Sequence, residues 1–208
     1  MLTTPNLIID LRRNSGGSDV SWRSLLPLLY TNPIRTVGME LLSTPLNNAR
    51  MQELLNDPKY NLSVEDRRWA EEGYAKLSSH LGEFVNLDDE RISVETFDTI
   101  YANPRRVVLL IDETNASSTE QFLLAARQSR KVKYFGHSTM GVLDISNMHF
   151  VDSPCGDFQL AYSLSKSFRI PDMTIDGHGI QPDYYIDDGV NAWEWIDFVL
   201  TTWKAGNH

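Results

Sequence analysis

Residues 107–126 read V-V-L-L-I-D-E-T-N-A-S-S-T-E-Q-F-L-L-A-A, and two changes of pattern inside them decide the fold. The first five are a continuous apolar run with β-branched members, far too short to span a bilayer and read as a buried strand. From Glu120 onward the composition and spacing turn helical. A short strand, V-K-Y-F-G (132–136), follows. Strand, helix, strand is a βαβ unit with parallel strands and a right-handed crossover, which puts the chain in the α/β class. Between strand and helix, Ser117-Ser118-Thr119-Glu120 fits S-x-x-E, in which a cap hydroxyl and a glutamate exchange bonds with open backbone amides. The serines therefore have two readings, helix cap or nucleophile, and the rest of the chain must choose.

Working outward, N-L-I-I-D-L (6–11) is a second buried strand, and it ends in R-R-N-S-G-G, a loop with two consecutive glycines. Open α/β sheets collect their chemistry in the loops beyond the strands' C-terminal ends, and both Gly16-Gly17 and Ser117-Ser118 stand in such loops. The segment 18–104, with patches such as S-V-E-D-R-R-W-A-E-E-G-Y-A-K-L (63–77), reads as a helical insertion in a single catalytic-type domain of 1–208. F-Q-L-A-Y-S-L-S (158–165) alternates as an antiparallel strand does. An aromatic helix at 191–204 closes the chain, with Trp193, Trp195, Phe198 and Trp203 docking it.

At 208 residues with 41% hydrophobic content, the chain is long enough for a sizeable core. No apolar run approaches the roughly 20 residues that span a bilayer, so no transmembrane segment is expected. Nor does the start have the basic and apolar regions of a secretory signal. A net charge of −9, with only local arginine doublets, argues against nucleic acid as a partner. The single cysteine, Cys155, has neither a disulfide partner nor metal-site spacing, and reads as a small buried residue in a Pro-Cys-Gly turn. No histidine spacing suggests a metal, and no cofactor is expected. Asp10, Asp112 and Asp183 sit at strand ends and turns, where carboxylates take backbone amides.

Three pieces stand in fixed order: I-I-D-L-R-R-N-S-G-G (8–17), then L-L-I-D-E-T-N-A-S-S-T-E-Q-F (109–122) with F-G-H-S-T-M-G (135–141), then D-G-H-G-I-Q-P-D (176–183). Together they resemble the C-terminal processing, or tail-specific, family of serine peptidases, to which the tricorn core protease and the interphotoreceptor retinoid-binding proteins are related. The resemblance covers 1–17 and 105 to about 187. It implies a ClpP/crotonase-like α/β spiral and a hydrolase acting on peptide or protein substrates. It further implies that Ser117, three residues before the motif's glutamate, is the nucleophile at the positive end of the helix dipole. The oxyanion donors it implies are the Ser118 amide and one from the Gly16-Gly17 turn.

The chain departs from the family at the base. The lysine of the Ser-Lys members aligns with Val142, which cannot take a proton, and Lys131, Lys133 and Lys166 are poorly placed to substitute. The tricorn-like branch pairs serine with histidine and an acid, and the acid's place is filled by Asp176. That branch's histidine lies upstream of the D-L-R motif. The expectation is therefore a C-terminal fragment whose base comes from an upstream lobe, with a PDZ-like module there as well, although His137 and His178 remain candidates. His149 is less well placed, and His80 and His208 read as surface residues. The alternative is a non-catalytic binding module of the same fold, holding an apolar or peptide ligand. Either form can homo-oligomerise through the C-terminal helix, and the family's usual setting implies a bacterial protein of the periplasm or cell envelope.

Overall fold

The computed structural model describes residues 2–58, 62–88 and 90–204, so the expectation for His208 lies outside the described residues. The chain divides into two compact units, the first made of 1–36, 94–143 and 175–208 and the second of 37–93 and 144–174.

The first unit is built on strands β1 (Asn6–Asp10), β6 (Arg106–Ile111), β7 (Val132–Gly136) and β10 (Tyr184–Tyr185), hydrogen-bonded in the order β1-β6-β7-β10 with every pair parallel. Strand β6 shows why the apolar run is continuous. Val107, Leu109 and Ile111 enter a core shared with α2 (Leu26–Leu29) and α5 (Ser118–Ala126), whereas Val108 and Leu110 enter a second core with Trp195 and Val199 of α6 (Trp195–Lys204). Helices cover both faces, so a period-2 element needs an apolar residue at each position. The βαβ unit β6–α5–β7 is present as the sequence predicts. Tyr134 of β7 is buried against α5, where its hydroxyl donates to Leu123 O, and burial pushes its phenol above the ordinary value.

The C-terminal helix docks as expected through Trp195, Phe198 and Trp203. Trp193 does not join them: it is 87% exposed in the 3-10 turn Ala192–Glu194 that precedes α6.

The segment 18–104 departs from the all-helical expectation. It does supply α1 (Val20–Arg23), α2, α3 (Pro45–Asn56) and α4 (Val64–Ser78), but also the strands β2 (Ile34–Val37), β3 (Met39–Leu42), β4 (Phe84–Val85) and β5 (Ile92–Glu95). Strands of two to four residues are held by their cross-strand neighbours rather than by their own pattern, so the sequence shows little of them. In the second unit, β3, β4, β8 (Ile145–Asp152) and β9 (Gln159–Ser167) form an antiparallel sheet in the order β4-β3-β9-β8, and Met51, Leu77 and Val85 are buried among its core residues. Helix α4 matches the 63–77 patch, with Ser63 Oγ capping it by accepting from Asp66 N–H at 3.0 Å. Cys155 lies in the turn between β8 and β9 and is exposed rather than buried, because that hairpin tip has no layer over it. Among the described residues no helix is long and apolar enough to cross a membrane.

Leu109 has no solvent exposure. Leu109→Ala should lower unfolding stability by about 2–5 kcal/mol, read as a fall in the urea midpoint.

Candidate active site

The C-terminal ends of β1 and β6 are tied together before any catalytic group is placed. Asn115 Nδ2 donates to Leu11 O (2.6 Å) and Asn14 O (3.1 Å), and its Oδ1 accepts Asp112 N–H (2.9 Å). Asp112 in turn accepts the N–H groups of Arg13 and Thr114 and the Thr114 hydroxyl. Asp10 is gripped by Arg12 through Nε (2.9 Å) and Nη2 (2.7 Å), and this fork holds its carboxyl below the ordinary range. Arg12 also lies over the Trp195 ring, fastening the C-terminal helix to the same strand end. Asp183 Oδ2 accepts Tyr134 N–H at 2.8 Å. All three aspartates are structural, as their positions suggested.

Onto this frame the chain places Ser117 in a conformation that no sequence pattern announced: φ 53°, ψ −122°. An ordinary N-cap is extended, and a positive φ in a serine costs about 1–3 kcal/mol. Strain at a sharp strand-to-helix turn is one way to hold a serine hydroxyl out for reaction. Ser117 and Glu120 stand in capping-box positions, and the glutamate half is made, with Ser117 N–H donating to Glu120 Oε2 at 3.2 Å. The hydroxyl half is at most a loose approach, for Ser117 Oγ makes no cap hydrogen bond.

The neighbouring hydroxyls do other work. Ser118 Oγ donates to Asp19 Oδ1 (2.6 Å) and accepts from Trp22 Nε1 (3.0 Å), and Thr119 Oγ1 donates to Asn14 Oδ1 (2.8 Å). Neither caps α5.

Glu120 is the hub. Its side chain is fully buried, and besides Ser117 N–H it accepts Val142 N–H on Oε2 (2.9 Å), and Gly141 N–H (2.8 Å) and the Thr139 hydroxyl (2.5 Å) on Oε1. The loop after β7 is thereby fixed behind Ser117. The next amide of that loop, Leu143 N–H, donates to Asp176 Oδ1 at 2.6 Å. Gly141 faces Gly179 and Gly177 so closely that an added methyl would stand 2.6 Å from Gly179 N, which lets the Asp176 loop lie against it. Ser117 and Asp176 are thus held through two consecutive residues, Val142 and Leu143.

Gly16 (φ 106°) closes the other side. A methyl on it would stand 2.8 Å from Ala116 O and 2.9 Å from Ser117 Cβ. Its N–H is taken by Asn14 Oδ1 at 3.1 Å, so of the glycine pair only Gly17 has an amide without a partner among the described residues. The Ser118 amide, first of helix α5, is likewise without a partner among the described residues.

Neither candidate histidine reaches Ser117. His137 is built into the sheet edge: Nε2 meets Ile186 O at 2.8 Å, Nδ1 meets Glu113 Oε2 at 3.3 Å, and the ring stacks on Tyr185. His178 is exposed, with Nδ1 3.2 Å from the backbone oxygen of Asp176 rather than its carboxylate. His149 and His80 are bound elsewhere, at Arg50 and Lys76 O. Lys131 has a pKa lowered by burial, but its Nζ donates to Tyr101 O (2.7 Å), and it precedes β7, at the opposite strand end from Ser117. Lys133 and Lys166 pair with Asp183 and Glu40.

Ser117 thus stands in a strained turn at the head of α5, beside a Ser118 amide that has no partner among the described residues. The profile of peptidase family S41 matches residues 2–186. The chain belongs to peptidase family S41. The match takes in the 18–104 segment that the three motifs left out. No curated protein sequence matches. Among solved structures, this S41 chain is similar to mature CPAF complexed with lactacystin (18% identity, TM-score 0.62, covering 96% of this chain and 42% of that one). It is also similar to a protein of Parabacteroides merdae (15%, 0.59, 95% and 51%) and to the photosystem II D1 C-terminal processing protease (17%, 0.51, 94% and 39%). The chain spans about half or less of the length of these structures, and at such identities the likeness shows the fold.

Of the residues that the sequence singled out, Gly16, Ser117 and Ser118 lie together at the head of α5, and Asp176 is tied to the loop that Glu120 holds. Sequence reasoning missed Asp19, Trp22, Asn14 and Asn115, whose partners lie about a hundred residues away along the chain. Glu120→Gln keeps the shape of the hub but turns an amide group toward N–H donors, and should cost roughly 3 kcal/mol in unfolding stability, measured by denaturant titration. Gly16→Ala should leave the protein folded by circular dichroism while slowing modification of Ser117 by a fluorophosphonate roughly a hundredfold, through displacement of the turn.

Proposed function

We propose that the chain is a serine-type endopeptidase domain that cleaves peptides or unfolded proteins through an acyl-enzyme. The reading is carried by one observation: Ser117 stands strained at the head of α5, its Oγ without a cap hydrogen bond and the Ser118 amide next to it without a partner among the described residues. In the reaction Ser117 Oγ attacks the scissile carbonyl and passes its proton to a base. The oxyanion is held by the Gly17 and Ser118 N–H groups, each such donor contributing about 2.7–4 kcal/mol to the transition state. The C–N bond then breaks, the base's proton goes to the leaving amine, and water hydrolyses the Ser117 ester by the same route reversed.

The base is a histidine from outside this chain, supplied by an upstream lobe and oriented by Asp176. Support for this comes from the engagement of every candidate histidine and lysine away from Ser117, and from the short span of the chain against its structural relatives. The finer fold type that accompanies the reading is the ClpP/crotonase-like spiral, supported by the unit β6–α5–β7 and the motif order. A second reading, a binding module of the same fold, is favoured by Val142, which stands at the family's lysine position with its N–H committed to Glu120.

Fluorophosphonate labelling with mass spectrometry decides between them, run on this chain and on the full product of its gene, each beside Ser117→Ala. A Ser117 adduct in the longer protein, faster than in the chain alone by about the 10²–10⁴ that a positioned base contributes, is the expected result. Absence of an adduct in both would sink the peptidase reading and leave the binding module.

A further inference from the structure

The second unit has a pocket of about 90 Å³, partly open to solvent, between α3, α4 and its sheet, and the wall is mainly apolar, with Leu41, Met51, Leu54 and Leu77 among its members. One cation interrupts that wall. Arg50, half-buried on α3, lines the cavity, and its only hydrogen bond among the described residues is a long one, 3.4 Å from Nη1 to His149 Nδ1. No carboxylate of the described residues pairs with it. The unit's buried arginine is treated differently, for Arg169 is matched to Asp144 at 2.6 Å. The wall's asparagines have partners as well, Asn48 Nδ2 on Ser43 Oγ and Asn147 Nδ2 on Ser165 Oγ.

A guanidinium carries five donors in a fork that fits a carboxylate, and drawing it out of water without an anion is costly. Beside it lies apolar space that gains by being filled. An anion with an aliphatic tail satisfies both at once. For size, an apolar cavity of about 150 Å³ takes a six-carbon ring, so this one accepts a chain of roughly four carbons.

We propose that this cavity binds a free short-chain aliphatic carboxylate, about four to six carbons long, with its alkyl chain among the leucines and its carboxylate on Arg50. The site lies wholly in the second unit and stands apart from the peptidase reading.

The test is a titration of the whole chain, its methionines carrying ¹³C-methyl labels, with pentanoate, following the Met51 resonance. A saturable shift in the millimolar range is expected, at least tenfold weaker for pentan-1-ol, which keeps the tail but lacks the charge. Arg50→Gln should weaken pentanoate at least tenfold while leaving the rest of the methyl spectrum in place, which shows that the variant is folded. Absence of a saturable Met51 shift, equal binding of the alcohol, or an unchanged affinity in Arg50→Gln would each overturn the assignment. So would tighter binding at the same resonance by N-acetyl-Ala-Leu, which would give the site to a peptide end instead. Ser117 labelling is unaffected by any of these outcomes, so this proposal and the peptidase reading fail separately.

Discussion

The Glu120 carboxylate is the contact on which the site depends. A fully buried carboxylate is tolerable only when its lone pairs are used, and here four donors use them: the Ser117, Gly141 and Val142 amides and the Thr139 hydroxyl. Those donors come from two loops that follow different strands, so one side chain fixes both loops relative to the head of α5. The strain at Ser117 follows from this. A serine persists at φ 53° only where its surroundings leave no alternative, and its amide is drawn to Glu120, its carbonyl accepts Gln121 N–H to start the helix, and Gly16 leaves no room behind its Cβ.

The adjacent serines divide their tasks in a way that follows from burial. Ser118 is buried, and a buried hydroxyl needs partners, which Asp19 and Trp22 provide from the segment that follows the glycine turn. That lock holds the Gly16-Gly17 turn and the start of α5 in one arrangement from both ends, since Asn14 ties the turn to Thr119 as well. Ser117, by contrast, has its backbone held on both sides while its Oγ makes no cap hydrogen bond. In acyl-transfer sites generally, rigidity of this kind is what makes amide donors effective, because they need not reorient as charge develops.

Asp176 serves the same frame: its Oδ1 accepts Leu143 N–H, one residue along from the Val142 amide that Glu120 holds. His137 was attractive from sequence because it follows β7, but the same placement exposes it to the backbone of β10's C-terminal neighbour and to Tyr185, and these hold its ring at the sheet edge.

The sequence by itself determined the parallel βαβ unit, the serine at a helix start, the glycine turn opposite it and the acid of the third motif. Each of these is encoded locally: a continuous apolar run where both faces are covered, helical composition beyond it, and turn residues between. The tertiary structure decided what local patterns do not carry. The positive φ of Ser117 has no glycine to announce it and is imposed by Glu120 and Gly16. The roles of Asn14, Asn115, Asp19 and Trp22 arise from partners about a hundred residues distant, and hydrogen bonds over such separations exist only once the strands have aligned. The short strands of 18–104 likewise depend on pairing across the sheet, and Trp193 and Cys155 are exposed because no layer packs over their turns, a matter of what surrounds a residue in space and not of what precedes it in the chain.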